Sequence, residues 1–127
     1  MVMACSVPPT NKGFLWLAYK GKLLTNDERV SWHMASDSRC EFCGEVETVS
    51  HVLCGCLEAL AIWVRLVKRD ELDEFLRMEL QQWFVLNLSD ASNFSNEVTD
   101  WDTRFAIICW CLWGRRIRDF FTSSLWK

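Results

Sequence analysis

Apolar residues recur at helical spacing along most of this chain, and polar, breaker-rich stretches divide the recurrences. From Gly13 to Lys20, "GFLWLAYK" carries enough apolar side chains for one short buried helix, and Gly21 supplies its stop. "TNDERVSW", residues 25–32, opens a second helix. Thr25 and Glu28 have capping-box spacing, in which Thr25 accepts from the third helical amide while Glu28 reaches back. Asp27 and Glu28 also suit the positive end of the helix dipole. Val30 and Met34 lie four apart and share a face, with Trp32 beside them. Residues 57–88 are strongly helical: Leu60, Trp63, Leu66 and Val67 recur at helical spacing, then Leu72, Phe75, Leu76, Leu80, Trp83 and Phe84. Asp70 either joins two helices or lies inside one longer helix. Glu71 and Glu74 each stand four before an apolar residue, so no ion-pair ladder supports this stretch and packing must stabilise it. "NLSDASNFSNEVTD", residues 87–100, reads as a loop. Thr99 or Asp100 caps a last helix over residues 100–121. Its stripe of Trp101, Phe105, Ile108, Leu112 and Trp113 is widened by Ile107, Cys109 and Trp110, and a helix apolar on most sides is buried on most sides. In a short chain part of that surface suits a partner.

Composition narrows the class. At 127 residues, half of them hydrophobic and 24% charged, the chain is a single globular domain rather than a disordered segment. Eight tryptophans and eight phenylalanines favour bulky helix packing. The net charge of −3 gives no basic footprint of the kind a free-standing nucleic-acid binder carries. Positive charge is local, at Arg65, Lys68 and Arg69 and again at Arg115, Arg116 and Arg118, where solvated helix ends are the plain reading. The longest apolar run, residues 105–113, falls well short of the roughly 20 residues a membrane helix needs. The first residues lack the pattern of a secretory signal. An intracellular location, nuclear or cytoplasmic, follows as the expectation, and with it seven reduced cysteines that point to metal rather than disulfides.

Four of those cysteines and one histidine crowd into "CEFCGEVETVSHVLCGC", residues 40–56. Cys40-x2-Cys43 is the spacing by which a tight turn presents two thiolates to one ion, and Gly44 permits the sharp exit such a turn needs. His51 and one further cysteine complete a set of three thiolates and an imidazole, which suits a closed, tetrahedral, structural Zn²⁺ site. The last ligand is ambiguous. In an unbroken α-helix His51 and Cys54 share a face, while Cys56 lies roughly 140° away. If Gly55 stops the helix in a left-handed conformation, the chain can swing Cys56 back to the ion. No open ligand position is needed, no His-Glu-x-x-His pattern is present, and nothing marks an oxyanion hole or an orienting acid for His51. No catalytic residue and no small-molecule substrate are therefore assigned. Arg39 beside the knuckle, with Arg115, Arg116 and Arg118, are the candidate contacts to RNA or DNA phosphates. Phe42, between two ligands, either packs over the metal or stacks on a base.

"VPPTNKGFLWLAYKGKLLTNDERV" followed by "CEFCGEVETVSHVLCGCLEALAIW" resembles the reverse-transcriptase zinc-binding domain of plant non-LTR retroelements. Phe14, Leu15 and Trp16 fit its first segment. Leu23, Leu24 and Thr25 fit the linker, and Cys40, Cys43, Glu47, Thr48, His51, Cys56 and Trp63 fit the core. The resemblance implies His-x4-Cys spacing, hence Cys56 as the fourth ligand and Cys54 as a buried bystander. It also implies an origin beside reverse transcriptase and ribonuclease H-like domains of a polyprotein. No Asp-Asp pair of a polymerase occurs, and no ribonuclease H domain follows, so the expectation is a non-enzymatic piece of such a protein. The expected fold is mainly α: a small zinc-stapled helical domain with a Cys-x2-Cys knuckle and four to six helices. Residues 7–67 form the zinc-binding module, and residues 68–127 form a C-terminal helical extension packed on it. A protein-interaction module without any nucleic-acid role is the alternative.

Overall fold

The computed structural model describes residues 12–40, 43–89 and 101–125, and the side chains of Lys12 and of residues 117–125 lie outside that description. Among the described residues there are six α-helices and no named strand. They are α1 (Lys12–Tyr19), α2 (Asn26–Ser31), α3 (Leu57–Leu66), α4 (Leu72–Arg77), α5 (Leu80–Ser89) and α6 (Trp101–Leu125). A π-helical turn, His51–Gly55, precedes α3, and a 3₁₀ turn, Arg69–Glu71, precedes α4.

The helix ends follow local chemistry. Gly21, at φ +70°, closes α1: its amide donates to Ala18 O while Lys22 N donates to Leu17 O. This is the paired bonding of a Schellman stop. The same pair ends α2, with His33 at φ +59° donating to Val30 O and Met34 N donating to Arg29 O. Met34 therefore lies past the helix, exposed, and does not share a helical face with Val30. At the start of α2, Thr25 Oγ1 accepts from Glu28 N as the capping box requires, but the Glu28 carboxylate turns outward to Trp32 Nε1 at 2.9 Å. Nor is α1 wholly buried. Phe14 and Ala18 face the core, while Trp16 and Leu17 face solvent.

Asp70 proves to be a joint, lying within the 3₁₀ turn between α3 and α4. A second joint separates α4 from α5. Met78 is extended, and the Glu79 carboxylate accepts from Gln81 N and Gln82 N, covering the free amides at the start of α5. The periodicity of the apolar residues crosses this joint and so conceals it. Helix α5 runs through Asn87 to Ser89, where a loop was expected from residue 87. Buried Asn87 stays helical because both ends of its amide are satisfied: Nδ2 donates to Trp83 O, and Oδ1 accepts from Trp101 Nε1, each at 2.8 Å. The remainder of that expected loop, with its Thr99 and Asp100 caps, lies outside the described residues.

The core is an aromatic cluster. Trp63 of α3 meets Phe75, Trp83, Trp101 and Phe105 at ring-centroid distances of 5.0, 5.8, 6.2 and 5.5 Å. Most of these pairs are tilted or edge-to-face, the arrangements that the ring quadrupoles favour. Helix α5 packs along α6, and Phe14 of α1 reaches Trp110 of α6 at 5.2 Å. The broad apolar surface of α6 is thus largely covered from within the chain. Buried Trp63 also donates Nε1–H to Leu53 O at 2.8 Å, which ties the core to the π turn. Trp63→Ala removes the centre of the cluster and that tie together, and it should cost about 3–5 kcal/mol of stability. A urea midpoint titration reads the loss, and a cost below about 1 kcal/mol would be inconsistent with this packing.

Candidate metal centre

The first two candidate ligands sit on a small hairpin. Arg39 and Val46 form an isolated antiparallel bridge, Cys40 N donates to Glu45 O at 2.6 Å, and Glu47 N donates to Ser38 O at 2.8 Å. Gly44 N donates to Cys40 O at 3.0 Å, closing the turn that carries Cys43. Gly44 has φ +78° with open space where a Cβ would stand, so the backbone angle, not crowding, calls for glycine there.

The other two are the first residue of the π turn, His51, and the residue just past it, Cys56. Thr48 Oγ1 accepts from His51 N at 3.1 Å and starts the helical turn. Cys56 N then donates to His51 O at 2.7 Å, a bond spanning five residues. A π turn is wider than an α turn, so residue i+5 comes to stand over residue i. This device brings Cys56 beside His51. Gly55 does not take the left-handed angle expected of it, since the glycines with positive φ are Gly21 and Gly44. The turn widens to a π turn that ends at Gly55, and Cys56 beyond it is extended.

The donor atoms of Cys40, Cys43, His51 and Cys56 all lie within 4.8 Å of one another. Cys40 Sγ and Cys56 Sγ are 3.9 Å apart, and Cys43 Sγ and His51 Nε2 are 3.1 Å apart. Zinc bonds of roughly 2.3 Å to sulfur and 2.0 Å to nitrogen imply tetrahedron edges of roughly 3.5–3.8 Å. These two separations straddle that range, and the donors are those soft, closed zinc sites use. Electrostatics agree. The Glu45 amide, which donates to Cys43 and favours its thiolate, is outweighed by desolvation and by the sulfurs of Cys40 and Cys56, so the Cys43 thiol is held above its ordinary pKa. A cation among the sulfurs reverses that balance.

Cys54 points elsewhere. Its sulfur lies 4.0 Å from Leu76 O, and burial pushes its pKa up to about 12. Cys109, fully buried beside it, is raised by burial and by Cys54. Both are neutral, packed thiols. Cys111 is disulfide-bonded, so the expectation of seven reduced cysteines fails at that position.

The candidate phosphate contacts fare differently from one another. Arg39 and Arg115 are exposed, Arg39 beside Asp37 at 3.1 Å and Arg115 beside Glu58 at 3.6 Å. Phe42 lies outside the described residues, as does the side chain of Arg118. Arg116 turns inward, where the sequence pattern placed it with the solvated charges. It donates through Nη1 to Cys40 Sγ at 3.1 Å and to Glu47 Oε2 at 2.5 Å, and through Nη2 to Cys56 Sγ at 3.3 Å. Burial alone would lower its pKa, but the two sulfurs and the Glu47 charge outweigh it and raise the pKa. Glu47 is the other residue whose role sequence reasoning missed. Buried, it accepts from Asn26 N at 2.8 Å through Oε1 and so ties the start of α2 to α6. The resemblance marks Glu47 as part of a motif, but no local spacing signals a partner 69 residues away.

Comparison with known proteins agrees with this geometry. Residues 1–63 match the family described as zinc-binding in reverse transcriptase. The chain is 37% identical over 119 residues to a putative ribonuclease H protein of Arabidopsis thaliana, covering 93% of this chain and 19% of that protein. It thus spans about a fifth of that relative's length. No solved structure matches.

Two outcomes test the assignment of ligands. Cys54→Ser should retain bound zinc and Cys56→Ser should lose it, as native mass spectrometry would show; the reverse would place the fourth ligand on the wrong side of Gly55. With zinc bound at pH 8, Cys54 and Cys109 should resist iodoacetamide, because burial keeps them protonated and covered. Rapid labelling of either in the folded protein would contradict that burial.

Proposed function

The chain belongs, through residues 1–63, to the reverse-transcriptase zinc-binding family, and we propose that its role is that of a structural zinc module. One Zn²⁺ is held by Cys40, Cys43, His51 and Cys56. The convergence of these four donors is the observation that carries the reading. The ion supplies a four-way cross-link between the hairpin and the π turn, whose folding it stabilises. The hairpin sets two thiols at one side, the π turn sets His51 and Cys56 at the other, and four protein donors leave no place for an activated water. The work is architectural, not catalytic. Residues 7–67 are the zinc-binding module, and residues 68–127 are an extension that roofs it through α5 and α6.

The module sits within a larger protein, beside ribonuclease H-like domains of retroelement origin, a placement supported by the 37% identity to a putative ribonuclease H protein. Two readings describe its surface. In the first, Arg39, Phe42, Arg115, Arg116 and Arg118 assist binding of RNA or DNA. The second is a protein-interaction surface, and three observations favour it. Arg116 is turned inward, Arg39 and Arg115 stand beside carboxylates, and Trp16, Leu17, Trp32 and Met34 are exposed. Among the described residues no helix is long and apolar enough to cross a membrane.

Metal analysis of the purified chain should find one zinc, and its removal by a strong chelator should melt the region around the knuckle while Cys40→Ser/Cys43→Ser abolishes binding. Zinc retained by that double variant would end the proposal. For the surface, a salt titration of single-stranded RNA binding discriminates. The interaction-surface reading expects no binding even at low salt. Binding that weakens steeply with salt would favour the nucleic-acid reading instead.

A further inference from the structure

The matched family segment ends at residue 63, yet one wall of the metal centre is built by residue 116. We propose that Arg116 is a positioning residue of the zinc site, and that through it metal binding and the seating of α6 are one event; this rests on the structural-zinc reading above.

The first argument is donor supply. Cys43 and His51 are half-buried, and Cys43 already receives the Glu45 amide. Cys40 and Cys56 are buried at 3% and 0% exposure, where a thiolate has little water to donate to it. The Arg116 guanidinium spans both: one terminal nitrogen donates to each sulfur, and the sulfurs are 3.9 Å apart. A planar fork with fixed N–H directions suits that task, and a lysine, which presents a single point charge, does not.

The second argument is charge. Three thiolates and a neutral imidazole around a divalent ion carry one net negative charge, and Glu47 adds another within the same buried space. Arg116 lies between the two sulfurs and Glu47, its side chain 11% exposed, and offsets one of those charges. Uncompensated, such charges are expensive to bury. Ligand sets depend on outer hydrogen bonds of this kind, whose loss typically lowers metal affinity about 10- to 100-fold.

The third argument is mechanical. Arg116 reaches the site only because α6 is seated, with Phe105, Ile108 and Leu112 in the core and the helix packed on the π turn. Glu47 in turn accepts from the first amide of α2. One guanidinium thus links the ligand hairpin, the π turn, α2 and α6.

The test uses the full chain with zinc and cobalt as probes. Competition against a chromophoric chelator should show Arg116→Gln binding one zinc with about 10- to 100-fold lower affinity. The sulfur-to-metal charge-transfer band of the Co²⁺ form should shift, and Arg116→Lys should recover only part of either effect. Affinity within twofold of wild type together with an unchanged cobalt spectrum overturns the inference. Should Arg116→Gln fail to fold, hydrogen exchange of the wild-type chain decides: zinc removal must lift protection in α6 as well as in the hairpin, and unchanged α6 protection overturns the coupling. A wild-type chain that binds no zinc sinks both this inference and the structural-zinc reading. Normal zinc in wild type with an indifferent Arg116→Gln sinks this one alone.

Discussion

Three sulfurs and an imidazole nitrogen gathered within 4.8 Å are a constraint before they are a ligand set. Against the Glu45 amide, which favours the thiolate, desolvation and the neighbouring sulfurs hold the Cys43 thiol above its ordinary pKa. The fold answers with opposite charge and with donors. The Glu45 amide serves Cys43, the Arg116 guanidinium serves Cys40 and Cys56, and the proposed zinc would remove the repulsion at its source. The remaining architecture can be read as what is needed to hold those partners in place. The hairpin fixes two sulfurs, the π turn brings Cys56 over His51, and the aromatic core seats the helix that delivers Arg116.

The aromatic core is therefore not independent of the site. Trp63 stands at the centre of the cluster and donates to Leu53 O, inside the turn that separates His51 from Cys56. Trp101 bonds Asn87 and so locks α6 against α5. A chain with limited volume gains stability from bulky aromatic packing, and the proposed zinc cross-link would supply a further part of what a small domain needs.

Much of this was legible in the sequence because it rests on local chemistry. The Cys-x2-Cys-Gly turn, the Thr25 cap, the Gly21 stop and the apolar stripe of α6 each announce themselves within a few residues. The mainly helical fold, with four donors placed for zinc, followed from them. The parts that escaped depend on features without a local signature. The α4–α5 joint at Met78 is hidden because the apolar repeat passes through it in register. Asn87 looks like a loop former until Trp101 is beside it. The π turn is indistinguishable from an α turn by spacing, so an α-helical reading put Cys54 and Cys56 on different faces and assigned the rescue to Gly55. Arg116 and Glu47 are both charged residues in polar stretches, and only the folded chain brings them together from 69 residues apart.

The central claim is a closed metal site with four protein donors, three of them sulfur. X-ray absorption at the zinc edge of the purified chain tests it most directly. The account predicts three sulfur scatterers at about 2.3 Å and one imidazole nitrogen at about 2.0–2.1 Å. A coordinated water oxygen, four sulfurs, or no zinc absorption at all would contradict it.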